Sequence, residues 1–334
     1  MPTNEHLWVV ILAAGDGKRV RRLVRDRWGQ PAPKQFALID GRRTLLDVTS
    51  ERAASIASPQ RIVTVVAAQH RHWWASDPAR LPPGHVIVQP ENRGTAAGIL
   101  LPLLWITSAD PEARLVILPS DHAVASEEIL HQAITGAIEH VPSADSTMVL
   151  LGVQAEGPEP GYGWIVPRQG EVCDLRPIAA FYEKPDAKAA SSLQSRGALL
   201  NSFILVTGGR FLVDLFRTAL PELWHAIQPI ITRHRGDRSL GQDGSRAYRI
   251  IPMRDFSKDL LEQTADRLSV YLVPACGWRD LGTPERLASH LRSRQDAFWD
   301  PPGPLTDQRS LQEVEPSPLE LTGPAGEHTT ITVA

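Results

Sequence analysis

Apolar residues recur along the first half of the chain in short runs that do not alternate with polar ones. The runs are residues 7–12, 61–67, 85–89, 114–119 and 147–153. A strand that is covered on both faces of a sheet has such a continuous apolar sequence, whereas a half-exposed strand alternates. The pattern therefore predicts a buried and mostly parallel sheet.

Several segments between these runs have the period of an amphipathic helix. Segments 94–106 and 126–141 are two of them, and the second begins at Ser126 with acidic residues in its first turn, as a helix N-terminus prefers. Segment 44–56 places these residues on one helical face: Leu45, Val48, Thr49, Ala53 and Ile56. Strands and helices in alternation predict an α/β fold with a mostly parallel, mixed central sheet.

The alternation changes after about residue 155. Residues 156–166 are rich in glycine and proline and predict a turn followed by a strand, and residues 179–185 predict a strand that ends at Pro185. Helical segments follow near 209–219 and 222–234. We expect this part to add structure over one side of the sheet rather than to form a separate domain.

The domain organisation follows from these patterns. We expect one domain over residues 1–295, with halves at 1–155 and 156–295. The segment 296–334 is rich in proline and has no sustained period, which predicts an extended or disordered tail.

Composition and charge exclude several classes of protein. The 334 residues include 35 basic and 38 acidic side chains, and this balance favours neither a nucleic-acid nor a membrane-surface partner. Apolar stretches fall short of the roughly 18 residues that span a bilayer, and the first residues do not resemble a signal peptide. Two cysteines, Cys173 and Cys276, are too few for a disulfide framework, so we expect a reduced, cytoplasmic location.

The loop after the first predicted strand has the chemistry of a phosphate-binding loop. Gly15 and Gly17 lack a Cβ, so their backbone N–H groups can approach a phosphate, and Lys18 and Arg19 can neutralise its charge. The P-loop and the dinucleotide fingerprint are both excluded, because the positions that these motifs require hold other residues. Taken alone, the loop fits an ordinary strand-to-helix turn equally well.

The wider segment 13–36, "AAGDGKRVRRLVRDRWGQPAPKQF", resembles the signature of nucleotidyltransferases that make nucleotide sugars. Its Pro-Lys-Gln-Phe ending, which contains Lys34, is similar to mannose-1-phosphate guanylyltransferases in particular. The resemblance continues to about residue 290 and implies a Rossmann-like three-layer α/β/α nucleotidyltransferase fold. The segment departs from the family pattern at Ala14, Lys18, Arg21 and Arg22.

The resemblance implies a set of nucleotide-binding residues: Ala14, Gly15, Gly17, Lys18, Gln89, Gly94 and Thr95. Segment 89–99, "QPENRGTAAGI", is similar to the family segment that meets the nucleobase. The amide of Gln89 offers both a donor and an acceptor, which suits the edge of a base. Gly94 and Thr95 begin a predicted helix whose first amides can face an anion, although a simple helix cap after a strand explains them as well.

Two acidic residues are candidate metal ligands. Asp121 directly follows a predicted buried strand, and Asp280 lies in "GWRDLGTPERL", residues 277–287. The resemblance implies that both bind the Mg²⁺ that bridges the substrate phosphates, and Mg²⁺ prefers oxygen ligands of this kind. Asp280 has the alternative role of capping the helix predicted near Thr283. We expect the neighbouring His122 to be a structural or surface histidine.

Three segments of the second half resemble the sugar-binding motifs of the family. By this resemblance, Gly163, Glu183 and Asn201 contact the sugar, and Lys184 binds its phosphate. Adjacent residues of a strand point to opposite faces, so Glu183 and Lys184 can share one site only at a bulge or a strand end.

One residue and one further segment of this half complete the sequence analysis of the site. Phe203 stands where the family has glycine. Segment 254–263 is predicted as the start of a solvent-facing helix that Asp255 or Ser257 caps, and it is left out of the predicted site.

The order of these motifs implies transfer of a nucleotidyl group from a nucleoside triphosphate to a sugar 1-phosphate. The resemblance implies GTP as the triphosphate and mannose 1-phosphate, or another sugar 1-phosphate, as the acceptor. The implied catalytic residues are Arg19, Lys34, Asp121 and Lys184. Alternatives are a methylerythritol-phosphate cytidylyltransferase and a nucleotide-sugar sensor without catalysis. No nucleic-acid or membrane partner is expected, and a homo-oligomer remains open.

Overall fold

The structure, a computed structural model, describes residues 4–26, 29–38, 42–75, 84–170, 173–233, 241–293 and 329–331. Most of the tail predicted for residues 296–334 lies outside the described residues. Its described part is a short strand at Thr329–Ile331.

The strands and helices that were predicted are present, and several short elements that were not predicted accompany them. The strands are β1 (Leu7–Leu12), β2 (Ile62–Ala67), β3 (His85–Gln89), β4 (Arg114–Pro119), β5 (His122–Ala123), β6 (Met148–Gln154), β7 (Gly163–Pro167), β8 (Leu175–Glu183), β9 (Leu199–Gly208), β10 (Leu268–Val273), β11 (Arg279–Asp280) and β12 (Thr329–Ile331). The helices are α1 (Leu45–Ile56), α2 (Arg71–Trp74), α3 (Gly94–Ala109), α4 (Glu127–Glu139), α5 (Ala187–Ser195), α6 (Gly209–Ala219), α7 (Pro221–Arg233), α8 (Gly241–Arg249), α9 (Glu262–Thr264) and α10 (Pro284–Ser293).

Local chemistry explains where the helices of the first half begin. The hydroxyl of Thr44 accepts a hydrogen bond from the backbone of Asp47, whose carboxylate accepts one from the backbone of Thr44, and this capping box starts α1. The hydroxyl of Ser126 caps α4 by accepting a hydrogen bond from the backbone N–H of Ile129. The predicted starts of both helices are therefore confirmed.

One mixed sheet contains nearly all of the strands, in the order β12-β3-β2-β1-β4-β9-β6-β10-β8-β7. The part built by β12, β3, β2, β1 and β4 is parallel, whereas β9 runs antiparallel to β4, β6 and β7. The predicted α/β fold with a mixed sheet is confirmed. Strands β7, β8, β9 and β10 extend this sheet and do not merely cover one side of it, because they pair edge to edge with one another and with β4 and β6.

Helices cover both faces of the sheet and form the outer layers of an α/β/α sandwich. Successive side chains of β1 point to opposite faces of the sheet. Trp8 and Val10 belong to the apolar cluster under α3, α6 and α7, whereas Val9 and Ile11 belong to the cluster under α1, α4 and α5. Strands buried on both faces explain the continuous apolar runs of the sequence. Within the described residues, every helix is too short or too polar to cross a bilayer.

Candidate active site

A cavity of about 370 Å³ lies at the carboxyl ends of the parallel strands, where open α/β sheets bind ligands. Leu12, Gln89 and Pro119, which end β1, β3 and β4, line it. Most of the predicted site residues line it as well: Ala14, Gly15, Arg19, Lys34, Gln89, Gly94, Thr95, Asp121, Gly163, Glu183, Lys184, Asn201 and Asp280. Two halves of the chain therefore meet in one cavity.

Gly17 and Lys18 are the predicted site residues that do not line this cavity. Gly17 has a left-handed backbone with φ of 58°, and a Cβ there would lie 3.1 Å from the backbone nitrogen of Lys34. The side chain of Lys18 is 82% exposed and pairs with Asp16 at 3.5 Å. In this structure, Gly17 shapes the loop against the turn at Lys34, and Lys18 faces outward.

A short antiparallel ladder brings the two predicted metal ligands together. Strand β5 pairs with β11 so that His122 lies opposite Asp280, and Asp121 immediately precedes β5. The helix-cap alternative for Asp280 is not what the structure shows, because the hydroxyl of Thr283 accepts the hydrogen bond from the backbone of Arg286 at the start of α10.

The ammonium of Lys34 lies between these carboxylates. Its Nζ is 2.8 Å from Oδ2 of Asp121 and 2.8 Å from Oδ1 of Asp280. Burial favours the neutral amine, but the two negative charges outweigh it and raise the pKa of Lys34. Burial likewise opposes ionisation of Asp121, yet Lys34 and then His122 lower its pKa to about 2. The site therefore combines a charged lysine with ionised Asp121 at neutral pH.

His122 belongs to this cluster, although the sequence analysis assigned it a structural or surface role. The indole N–H of Trp278, which can only donate, lies 3.2 Å from Nδ1 of His122. Nδ1 is thus the acceptor, and the proton of the neutral ring lies on Nε2, 3.5 Å from Oδ1 of Asp121. Burial lowers the pKa of His122 and favours this neutral ring. Its position directly after Asp121 was the signal available in the sequence.

The donor set of this cluster fits a divalent cation. One ligand atom from each of Asp121, His122 and Asp280 lies within 4.8 Å of the others. Carboxylate oxygens are the ligands that Mg²⁺ prefers, and the ammonium of Lys34 shows that a cation is stabilised between them. The Nε2–H of His122 faces the carboxylates, at 3.5 Å from Asp121 and 4.0 Å from Asp280, so the ring does not offer Nε2 as a ligand in this tautomer.

The predicted base-binding segment makes hydrogen bonds to residues 248 and 256, which are distant in the sequence. Gln89 is 2% exposed, and its amide nitrogen donates to the hydroxyl of Tyr248 on α8 at 2.6 Å. The hydroxyl of Thr95 accepts from the backbone N–H of Phe256 at 2.8 Å. These contacts fix the orientation of both side chains at the cavity wall.

Gly94 is needed where α3 meets the segment around Arg254. Its backbone is left-handed with φ of 86°, and a Cβ there would overlap the carbonyl oxygen of Arg254. The backbone N–H of Gly94 donates to the side chain of Asn92 at 2.9 Å, and that of Ala96 donates to Arg254 at 3.2 Å. Gly94 therefore permits close packing between two backbone segments at the cavity.

The end of β8 resolves the conflict expected between Glu183 and Lys184. Lys184 follows the last residue of the strand and has a left-handed backbone with φ of 49°, so both side chains line the cavity. Their charged groups lie 2.6 Å apart. Gly163 lies opposite Glu183 in the ladder, and a Cβ there would be 2.7 Å from the Glu183 carboxylate. Burial raises the pKa of Glu183.

Asn201 and Phe203 form the adjoining wall. The side-chain oxygen of Asn201 accepts a hydrogen bond from the backbone N–H of Phe203 at 3.1 Å. Phe203 is left-handed with φ of 59°, and its ring packs edge-on against Phe256 with centroids 6.1 Å apart. An aromatic ring thus occupies the wall at the position where the resemblance gives glycine.

The segment at Asp255 begins a helical turn with a cap, as predicted, but it lines the cavity instead of facing only solvent. Asp255 does accept from the backbone of Ser257 and Lys258, as a cap does. The turn that follows is a π-helix, Ser257–Leu261, whose Leu260 is fully buried. Asp255 and Ser257 line the cavity, and π-helical turns are frequent at functional sites.

Sequence comparisons give relatives with sugar-phosphate names. The chain is 29% identical over 290 residues to mannose-1-phosphate guanylyltransferase ManC of Salmonella typhimurium, covering 83% of this chain and 58% of that protein. It is 28% identical over 278 residues to the xanthan biosynthesis protein XanB of Xanthomonas campestris pv. campestris, covering 82% and 57%. The chain therefore spans little more than half the length of these curated relatives.

A solved structure and a family model agree with the sequence comparisons. The structure is described as a mannose-1-phosphate geranyltransferase from Thermus thermophilus, with a TM-score of 0.69 and 25% identity, covering 83% of this chain and 76% of that one. The family model for nucleotidyl transferases matches residues 8–295, which include every residue that lines the cavity. On this match, the chain belongs to the nucleotidyl transferase family.

Proposed function

We propose that the protein transfers a nucleotidyl group from a nucleoside triphosphate to a sugar 1-phosphate and releases pyrophosphate. GTP and mannose 1-phosphate are the proposed substrates, because the name of the ManC relative contains both guanylyl transfer and mannose 1-phosphate. We expect the reaction in the cytoplasm, where nucleoside triphosphates are made and used.

One observation carries the proposal. The glycine loop with Arg19, the paired carboxylates, and the Glu183–Lys184 pair all line the same cavity, although they come from both ends of the chain. A protein that only bound a nucleotide would need the glycine loop with Arg19 alone. A second cationic group, Lys184, in the same cavity suits a reaction between two phosphorylated substrates.

Asp121 and Asp280 are the residues that would hold Mg²⁺. When bound, Mg²⁺ neutralises charge on the phosphates and so reduces the repulsion between two anionic substrates. His122 supports this role through its Nε2–H, which lies 3.5 Å from Asp121 and 4.0 Å from Asp280. The hydrogen bond from Trp278 keeps the ring in the required tautomer.

The proposed chemistry is a direct displacement at the α-phosphorus. A phosphate oxygen of the sugar 1-phosphate forms a bond to this phosphorus, and the bond to the oxygen that bridges the α- and β-phosphates breaks. The nucleophile is already ionised at neutral pH, so no general base is required. Lys184 would orient the attacking phosphate, and Arg19 with Lys34 would stabilise the departing pyrophosphate. Catalysis then consists of positioning and charge stabilisation.

A matrix of substrates tests the proposal. Purified protein with Mg²⁺ is supplied with each of the common nucleoside triphosphates against mannose, glucose, galactose and fucose 1-phosphates, and with methylerythritol 4-phosphate. Pyrophosphatase converts the released pyrophosphate to phosphate, which is measured. We expect the highest kcat/KM for GTP with mannose 1-phosphate.

The same matrix separates the alternative functions. Highest turnover of CTP with methylerythritol phosphate would favour the cytidylyltransferase. Binding of a nucleotide sugar without release of phosphate from any pair would favour a sensor. Either result would overturn the proposal.

A further inference from the structure

A buried ammonium occupies the space between the two carboxylates that the proposed function assigns to the metal. The side chain of Lys34 is 8% exposed, and its Nζ is 2.8 Å from both Oδ2 of Asp121 and Oδ1 of Asp280. The lysine therefore acts as the counter-cation of this pair in the described structure.

Hydrogen bonds of the neighbouring residue hold the backbone at Lys34 in place. The next residue, Gln35, donates from its amide to the carbonyl oxygens of Ala13 and Gly15 at 2.9 and 2.8 Å. These bonds attach the turn at Lys34 to the end of β1. A lysine side chain has a flexible four-carbon stem, so its ammonium can reach other partners in the cavity while the turn stays in place.

A lysine ammonium and a divalent cation exclude each other at these oxygens. Mg²⁺ binds oxygen ligands at about 2.0–2.1 Å, so a cation bound to both Asp121 Oδ2 and Asp280 Oδ1 needs the space that Nζ fills. Two cations that close, with no anion between them, repel strongly in a partly buried site. Metal binding to these two atoms thus requires the ammonium to leave.

We propose that Lys34 and the divalent cation compete for Asp121 and Asp280, and that this competition couples metal binding to nucleotide binding. The inference rests on the proposed function, because that function makes these carboxylates the metal ligands. The metal alone binds weakly, since it must displace an ion-paired ammonium. A triphosphate removes this penalty because it accepts the freed ammonium, beside Arg19 in the same cavity. The metal and the nucleotide therefore bind together more tightly than either alone.

The first test measures Mn²⁺ binding in the absence of nucleotide, by the loss of the free Mn²⁺ signal in electron paramagnetic resonance. Lys34→Met keeps the apolar stem and removes the charge. Lys188→Met, on the exposed surface of α5, makes the same change in net charge away from the cavity. We expect Lys34→Met to bind Mn²⁺ about ten-fold more tightly than the native protein, and Lys188→Met to bind it equally. Equal or weaker binding by Lys34→Met would overturn the inference.

A second test needs no substitution of Lys34 and holds even where that variant fails to fold. The chain has five lysines, Lys18, Lys34, Lys184, Lys188 and Lys258, so the ε-carbon signals of ¹³C-labelled lysine are few. Arginine substitution of the other four assigns the remaining signal to Lys34. We expect saturating Mg²⁺, without nucleotide, to shift the Lys34 signal and to leave that of Lys188 unchanged. An unmoved Lys34 signal would overturn the inference.

These outcomes are separable from the fate of the proposed function. Product formation in the substrate matrix with an unmoved Lys34 signal leaves the function in place and removes the competition. A shifted Lys34 signal with no released pyrophosphate supports the competition and removes the proposed function.

Discussion

Among the described residues, Lys184 and Phe203 are the non-glycine residues with a left-handed backbone, at φ of 49° and 59°. This conformation costs about 1–2 kcal/mol for a residue with a Cβ. Both residues line the cavity, and both lie in segments that the resemblance assigns to the sugar. Such strain persists where the surroundings impose it, which is common in binding sites.

The strain at Phe203 can be measured with a pair of variants. Phe203→Gly and Phe203→Ala both remove the ring, and they differ only in the Cβ at a left-handed position. We expect Phe203→Gly to be more stable than Phe203→Ala by about 1 kcal/mol in the free energy of unfolding, measured by urea denaturation. Equal stability of the two variants would mean that the backbone at this position is not strained.

Asp121 gives the sharpest prediction for catalysis. Asp121→Asn keeps the size of the side chain but removes the charge that Lys34 contacts at 2.8 Å. We expect kcat to fall by at least about 100-fold, a loss typical of removing one group that stabilises charge in the transition state, and to stay low at any Mg²⁺ concentration. The measurement is pyrophosphate release under saturating substrates.

A matched control for this variant is Asp266→Asn, which removes one exposed carboxylate from a turn outside the cavity. It should keep the native kcat. Near-native turnover by Asp121→Asn would remove Asp121 from the metal site.

Between elements, the start of α3 depends on close contact with the segment at Arg254. We expect Gly94→Ala to destabilise the protein by about 2 kcal/mol or more, because it combines a left-handed backbone with overlap of the Arg254 carbonyl. Gly98→Ala, one turn along the same helix, is the control. Its Cβ would meet only the Gln89 side chain at 3.5 Å, so it should stabilise the helix by about 0.5–1 kcal/mol.

Urea denaturation of both variants distinguishes these effects. Opposite signs in the change of unfolding free energy would support the contact between α3 and the Arg254 segment. A small effect of Gly94→Ala, similar to that of Gly98→Ala, would contradict it.

Element bounds could be predicted from the sequence because they depend on local patterns. The apolar runs correspond to β1 to β4 and β6, and the caps at Thr44 and Ser126 begin α1 and α4. The strand end near Pro185 was also predicted, but the left-handed backbone of Lys184 was not; next to it, the carboxylate of Glu262 accepts a hydrogen bond from the backbone of Glu183. A partner that distant in sequence leaves no local pattern, so the left-handed turn and the nearby π-helix were not predictable.

At the scale of the whole molecule, most of the residues that the sequence predicted for the site line one cavity, but the contacts between them were not predicted. The resemblance gave Lys34 a role at pyrophosphate and gave Asp121 and Asp280 a role at the metal. The contact of Lys34 with both carboxylates depends on the β5–β11 ladder, which joins segments far apart in the chain. The same ladder explains why His122, assigned a structural or surface role from the sequence, lies at the centre of the cluster.

Kinetics should therefore distinguish the contributions of the two halves of the chain to the binding of the two substrates. Lys184 lies on the wall that β8 and β9 form, whereas the glycine loop and Gln89 come from the parallel half of the sheet. A hydrogen bond to a charged group contributes about 1.5–3 kcal/mol, so we expect Lys184→Ala to raise KM for the sugar 1-phosphate about ten-fold or more. KM for the nucleotide should change by less than about two-fold, because no contact assigned to the triphosphate is lost.

Lys188→Ala, a few residues further along on the surface of α5, removes the same charge and should leave both KM values unchanged. The comparison matters because a general loss of positive charge weakens the binding of both anionic substrates. Loss of a local contact weakens the binding of only one of them. If Lys184→Ala raised both KM values equally, the lysine would act through the overall field of the cavity. The division of the site between the two halves of the chain would then be wrong, even though the cavity that they share would remain.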